Sequence, residues 1–329
     1  MLLMQLQRPR SQQCVVNGAP AVPRIVMAAR LPQSRQTATL ADALKVGSPG
    51  LALAWDGGIV VTNGTTRPFG IDTSVPTTAR MYDYWLGGTD NFTADRVAAM
   101  AVSEVAPEAR LIAVENRKFL RRAVRYLTAE AGVTQFLDIG TGLPTQGNVH
   151  QVAQAISPDA RVVYVDNDPM VLAHSRALKT GGNTVVIEAD LREPQAILDH
   201  ADTRRLIDFS RPLAVLLVAV LHFISDDYDP PAIVATLRHA VPPGSYLVIS
   251  HVTGDIRPET ATRAAVHYKR VTPGATLRNR DEILRFFTGL DLIDPGLVQV
   301  PYWRPDDEPS EAGKVWILGG VGRKPGPQQ

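Results

Sequence analysis

The sequence is poor in the features that announce many protein classes. Cys14 is the one cysteine in 329 residues, which excludes an intrachain disulfide, a multi-thiolate metal site and Cys-pair redox chemistry. Such scarcity fits a reducing compartment, so a cytoplasmic protein is expected. No apolar run approaches the roughly 20 residues that a bilayer-spanning helix needs. The longest, over 213–224, has strand length and carries a histidine near its end. Charge is nearly balanced at a formal +1, so no global field recruits nucleic acid or an anionic membrane. Aromatics reach only 6%, which makes a local concentration of them informative. What remains, 45% apolar and 20% charged, is the composition of a soluble globular protein with one large or two ordinary domains.

Residues 1–41 contain no acid and carry Arg8, Arg10, Arg24, Arg30 and Arg35. Transit peptides share that bias, but there is no clear amphipathic arginine stripe and no continuous apolar secretory segment. A disordered or irregular extension over 1–69 is therefore expected, with a short helix near 40–46 and a hairpin-like piece near 55–61. The character changes at Gly70. Extended chain leads to Pro76, and Thr77 or Thr78 can cap a helix bearing Met81, Tyr82, Tyr84 and Trp85, which Gly87-Gly88 can end. Its aromatics suit either a helix packed on the core or a lid that stacks on a flat ligand. Arg80, Tyr82, Tyr84 and Trp85 are the lid candidates. Helical spacing continues through Val97, Met100 and Val105, then Leu111, Phe119, Val124 and Leu127, with Pro107 between two helices and Gly132 after the second. Residues 70–133 thus read as a helical cap, in which Glu115, Asn116, Arg117 and Lys118 read as a solvated face.

From Thr134 onward, strand and helix alternate. Strands are predicted over 135–139, 161–165, 184–189, 213–220 and 246–250, with helices near 147–156, 169–179, 194–200 and 231–240. Proline at helix starts (Pro169, Pro194, Pro231) and caps from Asp168 or Asp229 support these starts. Alternation of this kind specifies an α/β domain over 134–329 with a parallel, doubly wound sheet. Helices near 258–269 and 280–287 follow, then strands over 290–300 and 315–321 as an antiparallel addition at the sheet edge.

Ligands of such sheets bind at the carboxyl ends of the strands. The first strand ends in FLDIGTGLPT, with Asp138, Gly140, Thr141 and Gly142. The second ends in Asp166, Asn167 and Asp168. The third ends in Glu188 and Asp190, followed by Leu191; the fourth in Ala219, Leu221 and His222; the fifth in His251. A carboxylate can bridge two ribose hydroxyls, and a second can take an adenine amino group while Leu191 covers the ring. Asp138 would face the ammonium end of an amino acid. Acid, glycines, acid, acid is an inventory for S-adenosylmethionine. It suits a dinucleotide less well, because a pyrophosphate repels carboxylates, and Thr145 stands where the dinucleotide fingerprint has its third glycine.

The strings YDYWLGGTDNF, FLDIGTGLPT, VVYVDNDPMVL, EADLREP and LLVAVLHFI closely resemble a bacterial family of S-adenosylmethionine-dependent methyltransferases, long catalogued as a domain of unknown function. The resemblance runs from about Gly70 to the C-terminus. It implies the class I methyltransferase fold, Rossmann-like, with a seven-stranded, mostly parallel sheet whose last strand is antiparallel. It also implies Asp138, Gly140 and Gly142 at the methionine part of the cofactor, Asp166 at the ribose, and Asp190 with Leu191 at the adenine. Thr141, Asn167 and Ala219 belong to the same expected cofactor site.

A base is needed only if the acceptor must lose a proton, and His222 and His251 stand at the right strand ends. No metal is expected, because Asp226 and Asp227 serve the next helix's N-terminus better than a metal site with these histidines. The fourth strand ends AVLHFI, without the Asn/Asp-Pro-Pro-aromatic string of enzymes that methylate base or amide nitrogens. With the near-neutral charge, this favours a small-molecule acceptor over nucleic acid. A non-catalytic S-adenosylmethionine-binding protein and a nicotinamide-dependent oxidoreductase are the rival readings. Truncation before Gly70 is expected to leave folding and cofactor binding intact, as checked by thermal melting and calorimetry of the shortened chain.

Overall fold

The computed structural model describes residues 71–144, 147–177, 182–309 and 311–326. The extension over 1–69, with its expected helix and hairpin, lies outside the described residues, as do Gly70 and Thr145. Helices α1 (Thr78–Trp85), α2 (Thr93–Val105) and α3 (Ala109–Ala129) come first. The alternating region follows: β1 (Gln135–Ile139), α4 (Val149–Ile156), β2 (Arg161–Asp166), α5 (Pro169–Ala177), β3 (Thr184–Glu188), α6 (Pro194–Asp199), α7 (Ala201–Leu206), β4 (Ala214–Val218), α8 (Pro230–Ala240) and β5 (Tyr246–Val252). Last come α9 (Pro258–Val271), α10 (Arg280–Arg285), β6 (Asp291–Leu292), β7 (Val298–Gln299) and β8 (Ile317–Arg323).

The sheet runs β3-β2-β1-β4-β5-β8, with β6 and β7 both on the far side of β8. Strands β1 to β5 are parallel, and β8 is antiparallel to β5. The order reverses between β1 and β4, which places the ligand crevice above those strands. The single strand expected over 290–300 is split. Leu292 pairs with Gly322 and Val298 with Gly319, so six residues on one side span three on the other. Pro295 lies in the intervening turn, where the missing N–H cannot serve a ladder. The two pieces thus share one place in the sheet, and seven places remain. The helix expected near 194–200 ends at Asp199, and α7 follows it, starting at a cap in which the His200 ring accepts the Asp202 N–H.

Every residue of β1 is buried, because both faces of the sheet are covered. Alternation along the strands divides them. Phe136, Val162, Leu216 and Val248 pack with Phe119, Leu127 and Trp303 on one side. Leu137, Val163, Val215 and Leu247 pack with Ile197, Leu237 and Phe286 on the other. The long α3 presents Ala113, Asn116, Leu120, Ala123, Val124 and Leu127 at spacings of three and four residues to the first side.

A polar thread fastens α1 to the sheet. Thr77 caps α1, donates its hydroxyl to Asp168 at 2.7 Å, and donates its backbone N–H to Asp95 at 2.9 Å. Asp95, fully buried, also accepts the Phe92 N–H at 2.8 Å and pairs with buried Arg80 at 3.2 Å. Arg80 further donates to the Val75 carbonyl and lies 5.3 Å from the Phe92 ring centre. Breaking a buried pair leaves the surviving charge without a partner. Asp95→Ala and Arg80→Met are each expected to cost about 3–5 kcal/mol, read as a lower midpoint in urea unfolding.

Candidate functional site

A cavity of about 930 Å³ opens at the carboxyl ends of β1 to β4, near the upper end of the roughly 300–1,000 Å³ usual for small-molecule sites. One end is built from strand termini and is rich in carboxylates. The other is walled by α1, α3 and α9 and by the turn after β4.

The glycine turn comes first. Gly140 and Thr141 donate their N–H groups to the Val165 carbonyl at 2.8 and 3.2 Å. Gly140 has a φ of +73°, and a Cβ there would stand 2.4 Å from Val220, so no other residue fits without displacing that side chain. Asp138, the acid inside the motif, is 4% exposed and accepts the Thr141 hydroxyl at 3.2 Å. Burial pushes its carboxyl up to about 6, against the opposing pull of the Arg117 guanidinium. A buried acid so weakly compensated suits a cationic ligand group such as the ammonium of a methionine moiety.

Asp166 ends β2 with both oxygens engaged: one accepts the Asp168 N–H at 2.9 Å, the other the Gly142 N–H at 2.8 Å. Burial still raises its pKa above the ordinary carboxylate value, with those N–H bonds opposing. Each oxygen retains a lone pair for a ribose hydroxyl. Beyond β3, Arg192 holds the Asp190 carboxyl below its usual range through side-chain hydrogen bonds. The Arg192 guanidinium lies 5.0 Å from the Tyr228 ring centre, and Asn167 donates to Asp190 at 3.3 Å. Leu191 is buried beside them. Asp138, Gly140, Thr141, Gly142, Asp166, Asn167, Asp190, Leu191 and Ala219 all line the one cavity. These strand ends therefore offer carboxylates for a cationic, hydroxyl-bearing ligand beside a bare backbone turn and an apolar cover, a set that S-adenosylmethionine fits.

Ala219 has a φ of +57°, a strained conformation for a residue with a Cβ. Its N–H donates to the Ser250 hydroxyl at 2.9 Å, and Ser250 in turn donates to Asn116 at 2.6 Å. Asn116 donates to the Tyr82 hydroxyl at 3.0 Å, which donates to the Ala113 carbonyl at 3.0 Å. A relay thus runs from the end of β4 through β5 and α3 to α1. Asn116 is buried and Arg117 lines the cavity, so the expected solvated face over 115–118 is wrong for these two. Asn116 lies three residues after Ala113 and four before Leu120, a spacing that would have found it.

The lid candidates divide. Tyr82 and Trp85 line the cavity; Arg80 and Tyr84 do not, and Arg80 is spent on Asp95. The histidines divide too. His222 sits on the turn after β4, lines the cavity, and has a buried Nδ1 with no hydrogen-bond partner. His251 is fully buried off the cavity wall. Arg278 donates to its Nε2 at 3.0 Å, so the ring proton sits on Nδ1, which donates to the Val252 carbonyl at 2.6 Å. Burial holds His251 down at about 3, and both its nitrogens are taken, which withdraws it as a base. Arg278 also donates to the Leu221 and Ile224 carbonyls at 3.1 and 2.9 Å and to Asp226 at 2.6 Å. One guanidinium thereby staples the turn on both sides of His222. From above, Gly274 presses against that turn, since a Cβ there would meet the Phe223 carbonyl at 2.5 Å. Among the described residues, no group of three or more His, Cys, Asp or Glu gathers as a metal site. No helix of the described residues is long and apolar enough to cross a membrane.

A family profile described as S-adenosyl methyltransferase matches residues 64–325. Two crystal structures are similar over nearly their whole length. A candidate methyltransferase from Thermobifida fusca is 46% identical, with a TM-score of 0.74, the match covering 78% of this chain and 97% of that one. A protein of the DUF574 family from Streptomyces avermitilis is 41% identical, with a TM-score of 0.75, covering 77% and 99%. A comparison with curated proteins gives no match.

The Asp138 carboxyl sets a pH test. Its folded value of about 6 lies above the ordinary 3.8, so between these the folded state keeps a proton that the unfolded chain has released. Stability of the ligand-free protein then falls as pH rises through that window, by roughly 3 kcal/mol at most. Asp138→Asn is expected to raise the ligand-free melting temperature more at pH 8 than at pH 5, and to weaken S-adenosylmethionine binding at least tenfold by calorimetry. A melting difference independent of pH would contradict the assignment.

Proposed function

This chain belongs to the S-adenosyl methyltransferase family, and from that premise we propose that it methylates a small molecule enclosed beside the cofactor, with His222 as the base. The observation that carries this reading is the division of one cavity into a carboxylate-rich end at the strand termini and an apolar end under α1 and α9. When bound, S-adenosylmethionine supplies an electrophilic methyl on a sulfonium. The protein's task is to hold donor and acceptor in line and dry, and orientation of this kind can supply roughly 7–11 kcal/mol.

On this reading Asp138 receives the methionine ammonium, with Arg117 close enough to stabilise its charge. Asp166 holds the ribose, Asp190 and Leu191 the adenine, and Asn167 orients Asp190. Gly140, Thr141, Gly142 and Ala219 supply the close backbone surface. Tyr82 and Trp85 close the acceptor end, and residues 70–133 serve as its cap. A near-neutral chain whose described cavity is lined by two arginines and several acids suits a small acceptor better than nucleic acid. His222 is held well below the usual histidine range by burial first, then by His251 and Arg278, so it is neutral and free to take a proton near pH 7.

His222→Gln is expected to lower kcat about 10²–10⁴-fold, the usual worth of a general base, with S-adenosylhomocysteine affinity unchanged. Because His222 gains its proton only well below its ordinary value, kcat should stay flat from about pH 8 to about pH 6. The KM for the methyl donor should begin to rise near pH 6 as Asp138 protonates. Full activity in His222→Gln would remove the base from the reading and leave orientation alone.

A further inference from the structure

We propose that the methyl acceptor is an uncharged, flat aromatic molecule that presents a phenol-type hydroxyl to His222; this rests on the methyl-transfer reading above. The acceptor end of the cavity is walled by a run of rings. Trp85 lies 5.9 Å from Tyr268, Tyr268 lies 5.8 Å from Phe223, and Phe223 lies 4.2 Å from His222, centre to centre. Tilted rings in sequence offer faces and edges that a planar π-system complements. Tyr268 shares one face of α9 with Ala261, Ala264 and Ala265, all on the cavity wall at spacings of three, four and seven residues. Methyl-sized side chains there leave a slot that leucine or phenylalanine would fill.

Charge narrows the ligand class further. The acids on the cavity are Asp138, Asp166, Asp168 and Asp190 at the donor end, and Asp227, exposed at the rim. Its cationic side chains are Arg117, which acts on Asp138, and Arg192, bound to Asp190. The rings themselves carry neither, and Arg117, on α3, acts on Tyr82 as well as on Asp138. A cationic acceptor would lose water there without gaining a carboxylate, beside the positive sulfonium. A permanent anion would find one guanidinium nearby, Arg117, which already acts on Asp138. A neutral hydroxyl meets neither penalty. His222 and Trp316 both line this cavity, and each carries a buried ring nitrogen without a protein partner: Nδ1 of His222 can take a proton, and Nε1 of Trp316 can only give one. A hydroxyl, with one donor and two lone pairs, matches both kinds of group. His222 is also a weak base, better matched to a phenol than to a far less acidic aliphatic alcohol.

In the transfer, a bond forms between the hydroxyl oxygen and the methyl carbon while the carbon–sulfur bond breaks, its electron pair staying on sulfur. The hydroxyl proton passes to a ring nitrogen of His222. The products are an aryl methyl ether and a neutral thioether.

The test uses the full chain saturated with S-adenosylhomocysteine and three probes on one ring system: 2-naphthol, 2-naphthoate and 2-naphthylmethylammonium. Calorimetry is expected to give 2-naphthol at least about tenfold tighter binding than either charged probe. Ala265→Phe, which fills the slot, and Tyr268→Ala, which removes a wall, are each expected to weaken 2-naphthol at least about fivefold with S-adenosylhomocysteine affinity unchanged. With S-adenosylmethionine instead, 2-naphthol should be converted to 2-methoxynaphthalene, detected by mass spectrometry. Equal or tighter binding of a charged probe, no binding of 2-naphthol, or its recovery unmethylated after long incubation each overturns the acceptor class while methyl transfer to another acceptor stands. Failure of S-adenosylhomocysteine itself to bind overturns the methyltransferase reading instead.

Discussion

The hydrogen bond from the Thr77 hydroxyl to Asp168 joins two parts of the molecule that sequence separates by about ninety residues. Around it, side chains and backbone form an unbroken polar thread. Gly142 donates to Asp166, Asp168 donates to Asp166, Thr77 donates to Asp168 and Asp95, and Asp95 pairs with Arg80. Buried carboxylates need partners, and here each finds one in the next link. The result is mechanical as well as electrostatic. The turn that would cradle the methyl donor and the helix that carries Tyr82 and Trp85 are held by one network, so neither can move far without loosening the other.

The cavity's two ends follow opposite physical rules. At the strand termini, parallel strands deliver short polar side chains to one line, and two of the acids there, Asp138 and Asp166, are raised above their ordinary values by burial. Such groups are poised for a ligand carrying positive charge and hydroxyls. Under α1 and α9 the surface is rings and alanines, and the one titratable histidine facing it is kept neutral by its burial. Charged recognition and apolar enclosure thus stand side by side without mixing.

Much of this was legible in the sequence because short continuous apolar runs and glycine turns are local signals. The five parallel strands fall where the apolar runs lie, and Asp138, Asp166 and Asp190 stand at their ends for that reason. A threonine cap at Thr77 or Thr78 was legible from its place before an apolar helix, and Thr77 is the one that caps. Other features depend on partners far away in the chain. Nothing local says that Arg278 will reach the carbonyls flanking His222, or that Arg80 will face Asp95 rather than a ligand. The same holds for His251, whose place at a strand end matches that of His222 while its surroundings silence it. The break between β6 and β7 was signalled by Pro295, but its register could be read only against β8.

The alanines of α9 carry a consequence for how such a scaffold diversifies. On the proposed reading the donor end is made largely of backbone and strand-end acids that also hold the fold, so that change there would disturb folding and donor together. Ala261, Ala264 and Ala265 touch the opposite end from a single helix face. Drift in the bulk of three side chains would reshape which acceptors fit while leaving the methyl donor's seat intact. One helix face can therefore act as the dial by which descendants of this chain part company in their chemistry.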